Sequence, residues 1–319
     1  MKEIFGKQNM ISIVIPLYNK ERQIRNTLNS ISEQTFQDFE IVIVNDGSTD
    51  KSVDVVNDFS CLKIRLINQE NQGVSAARNR GIEEAKYNYI ALLDADDEWK
   101  PDYLQTQIGL IKKYPQCSVY ACAYEFRMLN GNVYPVILNK LPFRETDGVL
   151  VNYFEVASCS NPPIWSSAVV LRREAVKNVG GFPVGVKSGE DILTWAKLAA
   201  KYSIAFSVKV LATFVEAQGP SGKLQERMTN QEFVSLTLEK MYEDISDEQK
   251  ADFKSYLIRW YKIMATLQIE TANTQGARQT LRKAMNLGAS SWDLILQRIL
   301  SFFPGKIARN IFNCLRKIR

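Results

Sequence analysis

Four short apolar runs in the first hundred residues each end in a polar turn, and between them the apolar positions shift to helical spacing. The runs at 11–17, 39–44, 64–67 and 89–93 have the length and β-branched content of buried strands. Ile24, Leu28 and Ile31 mark a helix after the first, and Val53, Val55 and Val56 a helix after the second. A third helix is expected from Val74 towards Ala85. Strands that alternate with helices predict an α/β layer structure with a mixed, mainly parallel sheet and helices on both faces.

Beyond residue ~115 the pattern loosens. Residues 118–126 and 166–171 read as strands, with a Pro- and Asn-bearing region at 129–163 between them, expected as loops and an acceptor-facing surface. Ser188-Gly189-Glu190-Asp191 opens a helix that carries Ile192, Trp195, Leu198 and Ala199 on one face. Residues 204–208 and 210–215 predict a last hairpin. From Gly219 on, Gly and Pro thin out and helical periodicity takes over, with Leu257, Trp260, Tyr261 and Met264 on one stripe. A domain boundary near residue 220 follows, separating 1–219 from a small all-helical region at 220–319.

Composition closes several chemistries. The 319 residues include no histidine, which excludes Ser-His-Asp triads, Cys-His pairs and His-ligated metals. Cys61, Cys117, Cys122, Cys159 and Cys314 are odd in number and never spaced C-x-x-C, so reduced thiols of a cytoplasmic protein are expected. No run of ~18 apolar residues predicts a membrane span, and the N-terminus has no signal-peptide pattern. The net charge of +5 is local: residues 298–319 hold Arg298, Lys306, Arg309, Arg316, Lys317 and Arg319 and no acid, and without them the remainder is −1. No nucleic-acid partner is expected.

In an open parallel sheet, ligands bind in the crevice beyond the carboxyl ends of the strands. Each of the four strand ends here carries residues suited to a nucleotide. After the first, Tyr18 can stack on a base; after the second, the Asp46 carboxylate can accept an imide N–H. After the third, Gly73 permits close backbone approach, and the following helix N-terminus with Arg78 favours a diphosphate. After the fourth come Asp94, Asp96 and Asp97, whose mutual repulsion a hard divalent cation would relieve. An EF-hand is excluded, because position six of the would-be loop is Trp99. A dinucleotide dehydrogenase is excluded by the lack of G-x-G-x-x-G after the first strand.

Ile13-Val14-Ile15-Pro16-Leu17-Tyr18-Asn19, Val44-Asn45-Asp46-Gly47-Ser48-Thr49-Asp50, Asn71-Gln72-Gly73 through Ala77-Arg78-Asn79-Arg80-Gly81, and Leu93-Asp94-Ala95-Asp96-Asp97 occur in that order. Together they resemble the family 2 glycosyltransferases, over roughly residues 10–215. The resemblance implies a GT-A fold (a Rossmann-like sheet), a nucleotide-sugar donor, Mn²⁺ or Mg²⁺, and sugar transfer with inversion. The acceptor would be a hydroxyl of a glycan or lipid-linked saccharide in surface polysaccharide or glycolipid assembly. It further implies that Pro16, Tyr18, Glu21 and Asp46 surround the nucleobase, with Arg78 near the diphosphate, Asp94 near the ribose and Asp96 on the metal. Family frequency points to uridine diphosphate. The chain departs from the family's Asp-Asp-Gly-Ser in having Asn45, while the base-contacting Asp46 is kept.

Gly189-Glu190-Asp191 matches the family's Gly-Glu-Asp motif, which makes Asp191 the expected general base. Without histidine, a carboxylate suits that role. A sugar-phosphate nucleotidyltransferase would want a Gly- and Lys-rich loop where Pro16-Leu17-Tyr18-Asn19 stands. A catalytically silent nucleotide-binding module of the same fold is the other alternative. Near the C-terminus, Ile307, Ile311, Leu315 and Ile318 fall on one helical face opposite Lys306, Arg309, Asn313, Arg316 and Lys317. Such a basic amphipathic helix can lie on an anionic membrane, here its inner face, or pack its apolar side on the protein.

Overall fold

The computed structural model describes residues 10–144, 146–216 and 230–318, with side chains up to residue 315. Three expectations lie wholly or partly outside these residues: the absence of a leader at residues 1–9, the exact boundary near 220, and the parts played by the Arg316, Lys317, Ile318 and Arg319 side chains in the tail. The chain divides into two compact units. One comprises Met1–Tyr153, Ser160–Gly185 and Glu190–Gly219; the other comprises Phe154–Cys159, Val186–Gly189 and Pro220–Arg319.

The first unit begins β1 (Ile11–Leu17), α1 (Ile24–Ser32), β2 (Phe39–Asp46), α2 (Ser52–Asn57), β3 (Ile64–Gln69), α3 (Val74–Glu84) and β4 (Tyr89–Leu92). It continues through β5 (Glu98–Trp99), α4 (Tyr103–Lys113), β6 (Val119–Arg127), β7 (Val133–Pro135) and β8 (Gly148–Val149). Beyond the short α5 (Tyr153–Cys159), which apart from Tyr153 belongs to the second unit, come a 3₁₀ turn at Ser166–Ala168, β9 (Val169–Arg172), α6 (Arg173–Asn178), α7 (Glu190–Lys201) and β10 (Ile204–Val215). The strands form one sheet in the order β3-β2-β1-β4-β9-β6-β10-β5, with β7 on β6 and β8 on β10. β1 lies parallel to both β2 and β4, β2 to β3, and β6 to β10; β9 runs antiparallel between β4 and β6. Four carboxyl ends, those of β1 to β4, therefore open on the same edge.

The strands expected at 11–17, 39–44, 64–67 and 89–93 all form, because β1, β2 and β4 are buried almost throughout. Three regions differ from the expectation, the first being 166–171, where a 3₁₀ turn at Ser166–Ala168 precedes a strand that begins only at Val169. Residues 129–163 contain β7, β8 and α5 as well as loops. The hairpin expected at 204–208 and 210–215 is instead one strand, β10, that stays parallel to β6 while its register shifts between Ser207 and Ala212. Val208-Lys209 has none of the Gly, Asn or Asp chemistry that reverses a chain in two residues, so the strand bulges instead of turning.

Helix α3 is pressed hard against the sheet. A Cβ built on Gly81 would lie 2.3 Å from Val14 Cγ1, so only glycine lets the helix approach β1 this closely. That approach brings Arg78 and Asn79, one turn earlier, over the edge where the site forms.

The second unit is helical: α8 (Gln231–Asp244), α9 (Asp247–Glu270), α10 (Thr274–Asn286), α11 (Trp292–Leu300) and α12 (Gly305–Ile318). Ala265, Leu281 and Leu294 form one apolar cluster. Ile269, Ala277 and Ala308 form another, against which Phe312 packs. Helix α12 thus meets its neighbours through Ala308 and Phe312. The predicted apolar face of Ile307, Ile311 and Leu315 is left exposed, Ile307 by 48%. No helix among the described residues is long and apolar enough to cross a membrane.

Candidate active site

The loop after β1 and the loop after β2 are stitched together. Backbone N–H groups of Asn19, Lys20 and Glu21 donate to Ser48 Oγ, Ser52 Oγ and Asp50 Oδ2 at 3.1, 2.7 and 3.0 Å. In return Asn19 Oδ1 accepts from the Thr49 N–H at 2.8 Å, and Glu21 Oε2 from the Lys51 N–H at 3.0 Å. Each such bond contributes roughly 0.5–1.5 kcal/mol net, so together they hold the two loops in one arrangement. Glu21, expected near the nucleobase, spends a carboxylate oxygen on this seam. Tyr18 stands at its edge with 47% of its surface exposed, free to stack. Pro16 lies within β1, in register with Val44.

Asp46 is buried at the end of β2 and closes the third loop. Its Oδ1 accepts from Gln69 Nε2 at 2.7 Å and the Gln72 N–H at 2.9 Å, and its Oδ2 from the Gly73 N–H at 2.8 Å. A carboxylate offers about four lone-pair positions, so one acceptor site remains for a ligand N–H. Gly73 has φ +91°, a left-handed conformation that favours glycine, and a Cβ there would meet nothing within 4 Å. The backbone is open to close approach at that point. Asn45 explains the departure noted above: its Nδ2 donates to Asn68 Oδ1 at 2.9 Å while its Oδ1 accepts from the Ser48 N–H at 3.0 Å. An ionised aspartate cannot make the first of these bonds.

The three carboxylates after β4 resolve their repulsion separately. Asp94 takes Arg78, whose Nη2 lies 2.8 and 3.1 Å from its two oxygens. Asp96 takes Lys20, with Nζ to Oδ2 at 2.5 Å. Asp97 is buried and accepts from Ser167 Oγ at 2.5 Å and from the Val215 N–H at 3.2 Å. Burial, followed by the charges of Asp94 and Asp96, pushes the Asp97 carboxyl well above the usual range. Ser167 Oγ also accepts from the Asp94 N–H at 3.0 Å, which pins the acidic loop to the 3₁₀ turn before β9. Asp97 is therefore an anchor of the loop. Among the described residues no group of three or more carboxylates or thiols is arranged to hold a metal ion.

Arg78 joins the two sides of the site. It is 4% exposed, and its Nη1 lies 3.3 Å from Glu190 Oε1 at the start of α7. Burial opposes its charge, but Asp94 and Glu190 outweigh that and hold its pKa raised. The guanidinium also sits 5.2 Å from the centroid of the Phe182 ring. The side chain of its neighbour Asn79 fixes the Phe182 backbone, Nδ2 donating to the carbonyl and Oδ1 accepting from the N–H, both at 2.8 Å. Residues 78–79 of α3 thus tie the acidic loop to the segment leading into Glu190 and Asp191. Burial and the neighbouring Asp191 push Glu190 up to about 7, and burial likewise raises Asp191. A carboxylate raised in this way is a better proton acceptor near neutral pH than an exposed one.

The site so described gathers Asp94 and Glu190 on the Arg78 guanidinium, with Asp191 next to Glu190, and with Asp96, two residues after Asp94, paired to Lys20. Lys20, Ser167 and Asn79 were not anticipated. Lys20 stands between Tyr18-Asn19 and Glu21 in the first loop, and that position was the available signal.

Residues 12–180 match the profile of glycosyl transferase family 2. The chain belongs to that family. It is 34% identical over 186 residues to the glycosyltransferase GlyA of Streptococcus pneumoniae serotype 4, a match covering 57% of this chain and 27% of the relative. The chain spans under a third of the length of this relative and of two other curated glycosyltransferases it matches. Among solved structures, S. aureus TarS 1-349 in complex with UDP-GlcNAc superposes with a TM-score of 0.70 at 20% identity, over 94% of this chain and 88% of that one. The mannosyltransferase PcManGT from Pyrobaculum calidifontis, in complex with GDP-Man and Mn²⁺, gives 0.56 at 19% identity, over 94% and 83%. Both show the GT-A fold of the first unit's α/β sheet.

Proposed function

We propose that this family 2 glycosyltransferase moves a sugar from a nucleoside-diphosphate donor to an acceptor hydroxyl with inversion, and that residues 1–219 are its catalytic domain. The observation that carries this reading is the meeting of Asp94 and Glu190 on the buried Arg78, with Asp191 next to Glu190, at the edge where β1 to β4 end. Tyr18 would stack on the base, with Pro16 and Glu21 framing its loop; the free lone pair of Asp46 would take a base N–H. The Gly73 backbone and Arg78 would border the diphosphate, and Asp94 the ribose. Asp191 would remove the acceptor proton as its oxygen attacks the anomeric carbon. The bond from that carbon to the diphosphate oxygen would break, its electron pair leaving with the nucleoside diphosphate.

Asp96 fits a divalent cation. It is partly exposed, it offers hard oxygen, and Mg²⁺ or Mn²⁺ commonly takes only one or two carboxylates, filling its shell with water and phosphate oxygens. When bound, such an ion stabilises charge on the leaving diphosphate. PcManGT is seen with GDP-Man and Mn²⁺ and TarS with UDP-GlcNAc, which supports a nucleotide-sugar donor here; uridine diphosphate remains the choice on family frequency. Incubation with a panel of UDP- and GDP-sugars and Mn²⁺ should release nucleoside diphosphate from one of them. Binding without release from any donor, with or without acceptors, would make the chain a silent module.

The acceptor is proposed as a glycan or lipid-linked saccharide in surface polysaccharide or glycolipid assembly, at the inner face of a membrane. The exposed apolar face of α12, flanked by Lys306 and Arg309, supports peripheral contact with anionic lipid. Each basic residue near such a surface contributes about 1 kcal/mol, less as salt rises. Combining Lys306→Ser, Ile307→Ser, Arg309→Ser and Ile311→Ser, which spares the packed Ala308 and Phe312, should abolish co-sedimentation with phosphatidylserine vesicles and leave the melt cooperative. Undiminished co-sedimentation of that variant would show that α12 makes no such contact.

A further inference from the structure

The Lys20–Asp96 pair has no structural necessity. It joins loops 76 residues apart, both side chains are partly exposed, and an ion pair of that kind adds little to stability. The backbone beneath Lys20 is nevertheless fixed, by its N–H on the buried Ser52 and by the left-handed Asn19 before it, at φ +51°. Only the four-carbon stem is left to move. Its ammonium is a compact point charge with three donors, suited to phosphate oxygens as much as to a carboxylate.

In sequence Lys20 lies two residues from Tyr18, and in space it touches Asp96. If Tyr18 holds the base and Asp96 the cation, the diphosphate lies between them, within reach of this stem. A divalent ion on Asp96 and the ammonium, which lies 2.5 Å from its Oδ2, repel each other and compete for the same carboxylate. Resting on the glycosyl-transfer reading above, we infer that Lys20 is a ligand of the donor diphosphate which, before the donor arrives, neutralises the carboxylate that will receive the metal. Metal and nucleotide then bind with positive coupling. The metal alone must displace Lys20 with no compensating contact, whereas a diphosphate offers the displaced ammonium a new partner. Coupling of this kind is reciprocal and typically amounts to about 5–150-fold.

The test compares wild type, Lys20→Met and Lys20→Arg for Mn²⁺ binding by electron paramagnetic resonance, and for UDP and GDP binding by calorimetry with Mn²⁺ present. Lys20→Met is expected to bind Mn²⁺ alone roughly 10-fold more tightly and the nucleoside diphosphate roughly 10-fold more weakly, within the range of such couplings. Lys20→Arg, which keeps the charge, should retain nucleotide affinity to within a few-fold. A Lys20→Met protein with both affinities unchanged, beside a wild type that binds normally, overturns the role of Lys20 alone. A wild type that binds neither UDP nor GDP overturns the glycosyl-transfer reading itself.

Discussion

Asp191→Asn is expected to lower kcat by about 10²–10⁴-fold while leaving the affinity for nucleoside diphosphate within a few-fold of wild type. The substitution is nearly isosteric and keeps an oxygen to accept the Ile192 N–H, bonded now at 2.7 Å, but the amide cannot take up the acceptor proton. Near-normal kcat would move the base to Glu190. The pH profile gives an independent check. Glu190 is pushed up to about 7, and Asp191 beside it is also raised, so the pair keeps a proton into the neutral range. The base must be unprotonated, so kcat should climb as pH rises through this region. Glu190→Gln removes one of two like charges and should move the climb to lower pH. The sign for stability is opposite. Between the ordinary 4.5 of a glutamate and about 7, the folded protein binds the Glu190 proton more tightly than the unfolded chain does, so stability falls as pH rises across that window.

Asp96→Ala should remove Mn²⁺-dependent nucleotide binding. Loss of a group that merely supports a metal ligand typically costs roughly 10–100-fold in affinity, and loss of the ligand itself should cost at least as much. Calorimetry with UDP or GDP, with and without Mn²⁺, reads this directly. A mutant whose affinity still rises on adding Mn²⁺, by the wild-type factor, would show that the cation sits elsewhere. The fold should survive, because the partly exposed Lys20 has solvent to replace its partner.

What the sequence could disclose followed the reach of each signal. β1, β2 and β4 were legible because strands buried on both faces are unbroken apolar runs, and the acidic loop was legible because it follows one of them. The partners of the three aspartates were not legible. Arg78 is 16 residues from Asp94, Lys20 is 76 from Asp96 and Ser167 is 70 from Asp97, and only the tertiary fold decides such pairings. Arg78 reads as a diphosphate contact because it stands in the first turns of a helix whose N-terminus follows Gly73. Its fork turns out to be engaged by Asp94 and Glu190 already. β10 was misread because Lys209 interrupts an apolar run just as a turn would, and a bulge leaves no composition of its own. In α12 the period was right, yet the small Ala308 and the neighbouring Phe312 make the packing contacts, not the aliphatic stripe. Hydrophobicity ranks faces by apolar content, whereas close helix contact rewards small residues.

The seam between residues 19–21 and 48–52 bears on how donor preference could be re-engineered. Five of its hydrogen bonds, running in both directions, use a side chain from one loop and a main-chain N–H from the other, and Thr49 Oγ1 donates a further one to Asn19 Oδ1. A chimaera that imports the first loop from a relative with a different nucleotide, and keeps the second, would pair side chains with amides they never evolved to meet. The two segments form one exchangeable cassette, inherited or transplanted together, although about thirty residues of helix and strand separate them.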